Sequence, residues 1–375
     1  MYDFDSIVNR NTPDDIKYEK VEGIDDLIPM WVADMDFRSP PEVTDALVHT
    51  ASEGIYGYSE ADKTYDDAVI DWMRRRFDWE ITGGQIMKLP GVVLAISYAV
   101  RTLTDANDHV MIFEPVYGPF RRCVKGSGRL LTAVQLKNND GHYEIDFNEM
   151  ETRIVEDEVK LLVWCSPHNP GGRVWTEDEL RTVADICKRH GVFIVSDEIH
   201  ADLTLYGHKH IPMAKIAGDG CVVLTAPTKT FNIAGIQAAN IISSNRDILR
   251  RIDREAVTTG AYGLGKMGIS ATRAAYTYGE TWLNELISYL ESNIDLLREE
   301  LKDTGLKMME PEGTYLVWID CSSYGDLPRK LLTQAHVRVS EGTFFGADCG
   351  NFIRLNIACP RSVLKEALRR IKEIL

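Results

Sequence analysis

Short apolar runs alternate with amphipathic stretches over about residues 85–245. Between the runs, Thr176–His190 is the clearest helix, because Thr176 and Glu179 form a capping box and Gly191 follows as a stop. Continuous apolar strands that alternate with helices predict a mostly parallel sheet covered on both faces. Six runs are of strand length, rich in β-branched residues and bounded by turn-forming residues: Asp108–Phe113, Leu130–Val134, Lys160–Cys165, Val192–Ser196, Cys221–Thr225 and Ala239–Ser243.

The last third of the chain has a different pattern. Long helical stretches at about 265–304 precede strands near 314–320 and 351–357, and a helix over Ser362–Leu375 closes the chain. This order predicts a smaller α+β unit, with its junction to the first unit near residue 275. The first 25 or so residues are polar, and we expect them to form an arm.

Composition narrows the class of protein. The 375 residues include 42 Lys and Arg against 57 Asp and Glu, a net charge of −15, which argues against non-specific binding of nucleic acid and against docking on anionic membranes. No apolar run approaches the ~20 residues of a membrane span, and the polar, acidic N-terminus is unlike a signal peptide. The seven cysteines form no CxxC pair. We therefore expect reduced thiols and a cytoplasmic location.

Two charged residues follow predicted strands. Lys229 stands just past a buried strand, where desolvation lowers the pKa of a lysine and makes it a nucleophile toward carbonyls; a solvated loop lysine is the more common alternative. Asp197 ends another strand, at the edge where open α/β sheets bind ligands. A buried carboxylate there needs a cationic partner, such as a protonated pyridine nitrogen, although a helix cap or a turn is the alternative.

Two further segments could bind parts of a ligand. Asn169 follows a strand and precedes a proline, which restrains it, so its amide could donate to a phenolate-type oxygen; a plain Pro-Gly turn is the alternative. In Leu89–Ser97 a Pro-Gly turn opens a helix, and the free N–H groups of Val92 and Val93 suit a phosphate. Every helix has an N-terminus, so this second indication is weak alone.

Four more side chains have alternative explanations. Tyr117 follows a strand and could stack on a planar ring, or be an ordinary core or surface aromatic. Arg354 lies in an alternating strand and offers a fork for a carboxylate, though many strand arginines are only solvated or ion-paired. His208 and His210 could suggest a metal, but without a carboxylate cluster such histidines are more often structural, and we expect no metal.

The order and co-occurrence of these features resemble the class I/II aminotransferase family, which has the fold type I architecture of pyridoxal-phosphate (PLP) enzymes. The resemblance covers nearly the whole chain. Several segments are similar to the cystathionine β-lyase or cysteine-S-conjugate β-lyase branch: Met30–Phe37 (MWVADMDF), Gly57-Tyr58, Ser196–Leu203 (SDEIHADL), Gly207–Pro212 (GHKHIP), the TKTFNIAG stretch and RLNIACPR.

The resemblance implies roles around the cofactor ring. Lys229 would carry PLP as a Schiff base and move the Cα proton of the substrate. Asp197 would pair with the pyridinium nitrogen and keep it protonated. Asn169 would donate to the 3-oxygen of the ring, and Tyr117 would stack on its face. Tyr117 is therefore expected among the catalytic residues, with Lys229 and Asp197.

The resemblance also implies contacts to the phosphate and the substrate. Val92 and Val93 would bind the phosphate through backbone N–H groups, with a hydroxyl from Thr228. Two further residues of this chain match positions of the family. Tyr58 resembles the tyrosine that reaches the phosphate in the neighbouring subunit of a homodimer, and Arg354 matches the arginine that clamps the substrate α-carboxylate. Thr225 and Tyr56 are weaker candidates for the hydroxyl and for the tyrosine.

Two departures from the aminotransferase pattern matter. Many aminotransferases have a Tyr three residues after the ring-pairing Asp and an Arg eight residues after the lysine, where this chain has His200 and Gln237. Losing that Arg leaves less positive charge at the phosphate, so helix and hydroxyl donors must do more. Both departures favour the lyase branch. We expect His200 to contact the cofactor, although a structural histidine facing the core is the alternative.

The expected function is PLP-dependent β-cleavage of cystathionine or a related cysteine S-conjugate to a thiol, pyruvate and ammonia. A true aminotransferase is the alternative, and an additional regulatory role through binding a transcription factor is a minor one. The expected organisation is an arm at 1–24, a large PLP-binding domain at 48–273, and a small domain formed by 25–47 with 274–375.

Overall fold

The computed structural model describes residues 2–10, 12, 14–261 and 263–375, so positions 1, 11 and 13 of the predicted arm lie outside it. The strands are β1 (Ile28–Pro29), β2 (Ile86–Leu89), β3 (His109–Glu114), β4 (Leu130–Gln135), β5 (Lys137–Asn139), β6 (His142–Glu144), β7 (Leu161–Cys165), β8 (Phe193–Asp197), β9 (Cys221–Thr225), β10 (Ala239–Ile242), β11 (Lys307–Met308), β12 (Leu316–Asp320), β13 (Val337–Arg338), β14 (Ser340–Glu341) and β15 (Phe352–Asn356). The helices are α1 (Pro41–Ser52), α2 (Lys63–Phe77), α3 (Val92–Leu103), α4 (Pro119–Gly126), α5 (Phe147–Glu156), α6 (Glu177–His190), α7 (Met213–Ala217), α8 (Pro227–Thr230), α9 (Arg246–Thr258), α10 (Lys266–Tyr278), α11 (Glu280–Leu301), α12 (Leu327–Thr333) and α13 (Arg361–Ile374).

A seven-stranded sheet forms the centre of the larger unit, in the order β2-β10-β9-β8-β7-β3-β4. The strands from β9 to β4 are all parallel, and β10 is antiparallel to both of its neighbours. This confirms the predicted mostly parallel sheet, and all six predicted strands are present. The edge strand Ile86–Leu89 was not predicted, because its four residues include a lysine and lack a continuous apolar run.

The central sheet separates two hydrophobic cores. Alternate residues of β3 show this: Val110 and Ile112 pack into one core, whereas Met111 and Phe113 pack into the other. Because successive side chains of a strand point to opposite faces, both faces of the sheet are buried. The ligand-facing surface is therefore confined to the ends of the strands.

A second, antiparallel sheet has the order β11-β12-β15-β14. Its strands β12 and β15 are the predicted strands near 314–320 and 351–357, and α13 is the predicted terminal helix. The short strand β1, close to the N-terminus, pairs in parallel with β13. β1 and β13 form a separate two-stranded sheet, which joins the beginning of the chain to its C-terminal third. The domain boundaries stay predictions.

The predicted helix signals are confirmed in α6. Thr176 Oγ1 accepts a hydrogen bond from the Glu179 N–H at 3.3 Å, and the Glu179 carboxylate accepts one from the Thr176 N–H at 2.7 Å. Gly191 follows with a positive φ of 69°. The expected helical stretch at 265–304 is two helices that meet at Gly279, where a Cβ would lie 2.5 Å from the Phe231 ring.

Two side chains of the N-terminal segment are buried, although most of its described residues are exposed. Phe4 is buried against Phe37 and Trp282, and Lys17 is only 1% exposed. All seven cysteines are free and buried. Within the described residues, no helix is long and apolar enough to cross a membrane.

Candidate active site

A cavity of about 410 Å³ opens at the carboxyl ends of the parallel strands. Asp197 ends β8, Tyr117 follows β3, Asn169 follows β7 and Lys229 follows β9, so the parallel order of the strands brings these four to one edge. Most of the predicted site residues line this cavity: Val92, Val93, Tyr117, Asn169, Asp197, His200, Thr228 and Lys229.

The Asp197 carboxylate is buried and lacks a charged partner. Its Oδ1 accepts a hydrogen bond from the Ile199 N–H at 3.1 Å, and no cationic side chain of the described residues lies within 4 Å. Burial raises the pKa of Asp197 to about 7, and the neighbouring Glu198 adds to this rise. A buried carboxylate facing a cavity in this way is suited to a cation supplied by a ligand.

Lys229 lies in the short helix α8 and directs its amine to the segment before α1. Its Nζ donates to the backbone carbonyl of Ala33 at 2.6 Å. Burial lowers the pKa of Lys229 to about 8; Arg354 acts in the same direction, and Asp34 and Asp197 oppose it. A substantial fraction of the amine is therefore neutral near physiological pH, as a nucleophile or base must be.

Arg354 on β15 is 4% exposed and bonds only to neutral groups of the described chain. It donates to Asn169 Oδ1 at 3.0 Å, to the Trp31 carbonyl at 2.9 Å and to Ser340 Oγ at 3.2 Å. Among the described residues its Nε has no hydrogen-bond partner, and no carboxylate lies within 4 Å. Burial lowers the pKa of Arg354 to about 10. Arg354 is thus a buried cation suited to an external carboxylate, and it fixes Asn169 through the amide oxygen.

The N-terminus of α3 forms one wall of the cavity. Gly91 precedes the helix, and Val92 and Val93 form its first turn. A Cβ placed on Gly91 would meet no protein atom within 4 Å, so there is open space beside the free N–H groups. The buried hydroxyl residue Thr228 lines the same cavity. An anion fits this wall, because N–H groups and the helix dipole both favour negative charge.

His200 and Tyr117 complete the lining around Lys229. Burial lowers the pKa of His200 to about 3, so its imidazole is neutral, and its Nδ1 finds no hydrogen-bond partner in the described part of the chain. Its ring contacts Tyr315, with ring centroids 6.3 Å apart. Burial raises the pKa of Tyr117, so its phenol stays protonated. Both are neutral rings that can contact a planar ligand.

Other predicted residues lie elsewhere. Tyr58 is fully exposed, and Tyr56 is also exposed, with its hydroxyl donating to the Ala51 carbonyl. Neither lines the cavity within this single chain. Thr225 is buried but does not line the cavity as the structure describes it. Gln237, at the position where many aminotransferases have an arginine, does line it.

The segment 31–37 is the part of the site that the residue-by-residue analysis missed. Its sequence supported the family resemblance, but no role was assigned to any of its residues. Ala33 lines the cavity, and its carbonyl accepts hydrogen bonds from both Lys229 and Tyr315. The contacts are made by backbone carbonyls, which no side-chain motif records. The sequence did offer one indication, because Asp34 and Asp36 interrupt an otherwise apolar run.

His210 has a structural partner. Its Nε2 lies 2.7 Å from Glu198 Oε2, and both side chains are buried. His208 does not join it in a metal-binding cluster: the described residues contain no group of three or more His, Cys, Asp or Glu that could hold a metal ion.

The two-sheet fold, with a buried lysine and aspartate at the strand ends, defines the fold type I class of PLP-dependent enzymes. The family model for aminotransferases of class I and II matches residues 25–371. The chain belongs to this family.

Individual relatives cover the whole chain. Cystathionine β-lyase PatB of Bacillus subtilis (strain 168) is 41% identical, over 99% of this chain and 99% of its own. The crystal structure of cystalysin from Treponema denticola, which contains a pyridoxal 5'-phosphate cofactor, has a TM-score of 0.96 and 33% identity over 100% of this chain and 98% of its own. The PLP-bound C-S lyase from Staphylococcus hominis has a TM-score of 0.95 and 32% identity, with the same coverage.

Proposed function

We propose that this protein is a PLP-dependent carbon–sulfur β-lyase that converts cystathionine or a related cysteine S-conjugate, with water, into a thiol, pyruvate and ammonia. One observation carries the proposal. Lys229, an amine of lowered pKa, lies in the same site as two buried ionisable groups, Asp197 and Arg354, that have no ion-pair partner within the described chain. The full-length similarity to a cystathionine β-lyase and to C-S lyases supports the same activity.

The residues present fit PLP. The Asp197 carboxylate would accept a hydrogen bond from the N–H of the pyridinium ring, and this ring supplies the cation that the buried carboxylate lacks. The first turn of α3, with Val92 and Val93, and the Thr228 hydroxyl would hold the phosphate. The amide nitrogen of Asn169 would donate to the 3-oxygen, because the amide oxygen already accepts from Arg354.

When bound, PLP supplies an electron sink for the negative charge that develops at the substrate Cα. Lys229 would hold the cofactor covalently at rest and, once freed, take the Cα proton with its neutral amine. Arg354 would grip the substrate α-carboxylate through its fork of N–H donors. Asp197 would keep the ring nitrogen protonated, and Tyr117 would pack against the ring face.

The bond that breaks next decides the product. Electrons from the Cα–H bond form a Cα–Cβ double bond as the Cβ–S bond breaks, and the sulfur leaves as a thiolate that takes up a proton. Water then hydrolyses the released three-carbon product to pyruvate and ammonia. We assign no group to protonate the sulfur. His200 is neutral and lies near Lys229, so we infer contact with the cofactor or substrate rather than a charge.

A leaving-group comparison tests the proposal. The holoenzyme is incubated with S-methylcysteine, with cystathionine and with alanine, each with and without a keto-acid acceptor. We expect thiol and pyruvate from the thioethers without acceptor, and negligible product from alanine. Keto acid that forms from alanine only when acceptor is present would instead identify an aminotransferase and refute the lyase proposal.

We also propose a homodimer whose subunits complete each other's sites. Tyr58 is fully exposed, and Ile55 and Tyr56 beside it are 73% and 65% exposed, an apolar segment suited to burial by a second copy. Mixing Lys229→Ala and Tyr58→Phe subunits should then create some intact sites, about a quarter of the total after random exchange. If the mixture is no more active than the parents, the sites are not shared.

We place the enzyme in the cytoplasm. The seven free, buried thiols support a reducing compartment, because none is committed to a disulfide. Fractionation of the native cells tests this location, and recovery of the protein outside the cytoplasmic fraction would contradict it.

A further inference from the structure

The strap, residues 31–37, connects β1 to the site. The Ala33 carbonyl accepts from Lys229 Nζ at 2.6 Å, and the Trp31 carbonyl accepts from Arg354 at 2.9 Å. The proposed base and the proposed carboxylate-binding residue therefore both rest on strap carbonyls. A shift of the strap would move both groups.

Two asparagines bind the backbone of the strap: Asn356 at the end of β15 and Asn232 just after α8. Asn356 Nδ2 donates to the carbonyls of Val32 and Asp34, each at 2.6 Å. Asn232 donates to the carbonyls of Met35 and Phe37 at 2.9 and 2.8 Å, and its amide oxygen accepts from the Met35 N–H at 2.9 Å. These bonds fix the backbone of the strap but leave the charged side chains of Asp34 and Asp36 to find other partners.

Those partners come from the N-terminal segment. Arg10 bonds to both oxygens of Asp34, at 3.0 and 2.9 Å, and to Asp36 at 2.8 Å. Lys17 Nζ bonds to Asp36 at 2.9 Å and lies 3.4 Å from Asp34. Asp15 binds Arg10 from the other side at 2.8 Å. Five charges thus join the N-terminal segment to the strap.

Lys17 and Asp36 of this cluster are buried, and Arg10, Asp15 and Asp34 are only partly exposed, so its loss has large local consequences. Lys17 is 1% exposed and Asp36 is 5% exposed. Burial works against ionisation of Asp34, yet hydrogen bonds from Arg10 and the charge of Lys17 hold its pKa below the usual range. Removing either cation would leave Asp34 and Asp36 to share the one that remains, and the strap would move toward water to solvate the uncompensated negative charge.

We propose that Arg10 and Lys17 are positioning residues: through Asp34 and Asp36 they hold the strap so that its carbonyls orient Lys229 and Arg354. The N-terminal segment is then part of the catalytic apparatus, although none of its residues lines the cavity in the described part of the chain. The kinetic part of this inference rests on the proposed lyase activity, whereas the ordering of the strap does not.

The test measures two variants that remove a cation, Arg10→Gln and Lys17→Met. Arg10→Lys is the conservative variant. Arg181→Gln is the control, because Arg181 forms an exposed ion pair with Glu177 on α6. Hydrogen exchange is measured on each holoenzyme for peptides covering the strap and β7. We expect strap amides to exchange at least about tenfold faster in the first two variants, with β7 unchanged. Arg10→Lys should recover part of the protection, because it keeps the charge but loses the fork.

Kinetics and cofactor binding complete the test. We expect kcat for C–S cleavage to fall about tenfold or more in Arg10→Gln, because a displaced strap misplaces the base. In the control Arg181→Gln, both kcat and the midpoint of thermal unfolding should stay as in the parent. We also expect weaker reconstitution by PLP, a readout independent of turnover.

Three outcomes would overturn the inference: unchanged strap exchange, equal acceleration of strap and β7 as in a purely structural role, or a mobile strap with unchanged kcat and cofactor affinity. If the parent enzyme has no lyase activity, the proposed function fails, but strap exchange and cofactor affinity still decide the positioning role.

Discussion

Replacing Asp197 by Asn should stabilise the cofactor-free protein while it damages the enzyme. The carboxylate is buried, has only the Ile199 N–H as a hydrogen-bond donor among the described residues, and has its pKa raised from 3.8 to about 7. Between these two values the folded chain binds a proton that the unfolded chain has released. The free energy of unfolding of the apoprotein therefore falls as the pH rises through this window.

The rise in the pKa of Asp197 sets the size of the effect. A change from 3.8 to about 7 corresponds to roughly 4 kcal/mol of lost stability above pH 7, at about 1.4 kcal/mol for each pH unit. Asparagine has no such charge to bury. Urea unfolding of the apoprotein at pH 5 and pH 8 should therefore show a pH-dependent loss of stability in the parent that is smaller in Asp197→Asn by roughly 3 kcal/mol, because about two pH units of the window lie between these measurements.

In the holoenzyme the same substitution should act in the opposite direction. Breaking a buried ion pair costs about 3 kcal/mol or more, so kcat should fall by more than about a hundredfold. Asp185→Asn, at an exposed position on α6, serves as the matched control and should alter neither property. A loss of apoprotein stability between pH 5 and pH 8 that is as large in Asp197→Asn as in the parent would refute the argument from burial.

Three further predictions concern the rest of the site. Arg354→Lys should raise KM about ten- to a hundredfold, because the fork to the carboxylate is lost; an unchanged KM in steady-state assays contradicts the assignment. Burial lowers the pKa of His200 to about 3, so His200→Gln should leave the shape of the pH profile of kcat/KM intact, and loss of a limb near neutrality would show that the imidazole titrates. Gly91→Val should weaken PLP binding about tenfold by filling the open space beside the first turn of α3, measured by titration of the apoprotein; parental affinity would place the phosphate elsewhere.

Much of the fold could be predicted because the central strands are buried on both faces. Strands such as Leu161–Cys165 are continuously apolar, and their buried pattern has no exposed position. The edge strand Ile86–Leu89 escaped prediction because it is short and partly exposed, so sequence pattern and burial are both weak there. The pairing of β1 with β13 joins residues about 300 positions apart, which local pattern does not encode.

The side chains of the site were easier to predict than its backbone contacts. Asp197 and Lys229 each follow an apolar strand, so the parallel sheet places them at one edge. The Ala33 carbonyl, in contrast, belongs to a strap whose backbone is bound by the sequence-distant Asn232 and Asn356. Likewise, the polar N-terminus predicts an arm, but its local sequence does not show that Arg10 and Lys17 pair with Asp34 and Asp36. Tertiary ion pairs therefore explain what the local sequence could not.

The most direct test of the account measures thiol and pyruvate together from cystathionine, without a keto-acid acceptor, in the parent enzyme and in Lys229→Ala. We predict equal yields of the two products from the parent, and loss of both from the variant together with the absorbance of the covalently held cofactor. Continued turnover to thiol and pyruvate by Lys229→Ala, or pyruvate without thiol from the parent, would contradict the assignment of Lys229 as the base of a carbon–sulfur β-lyase.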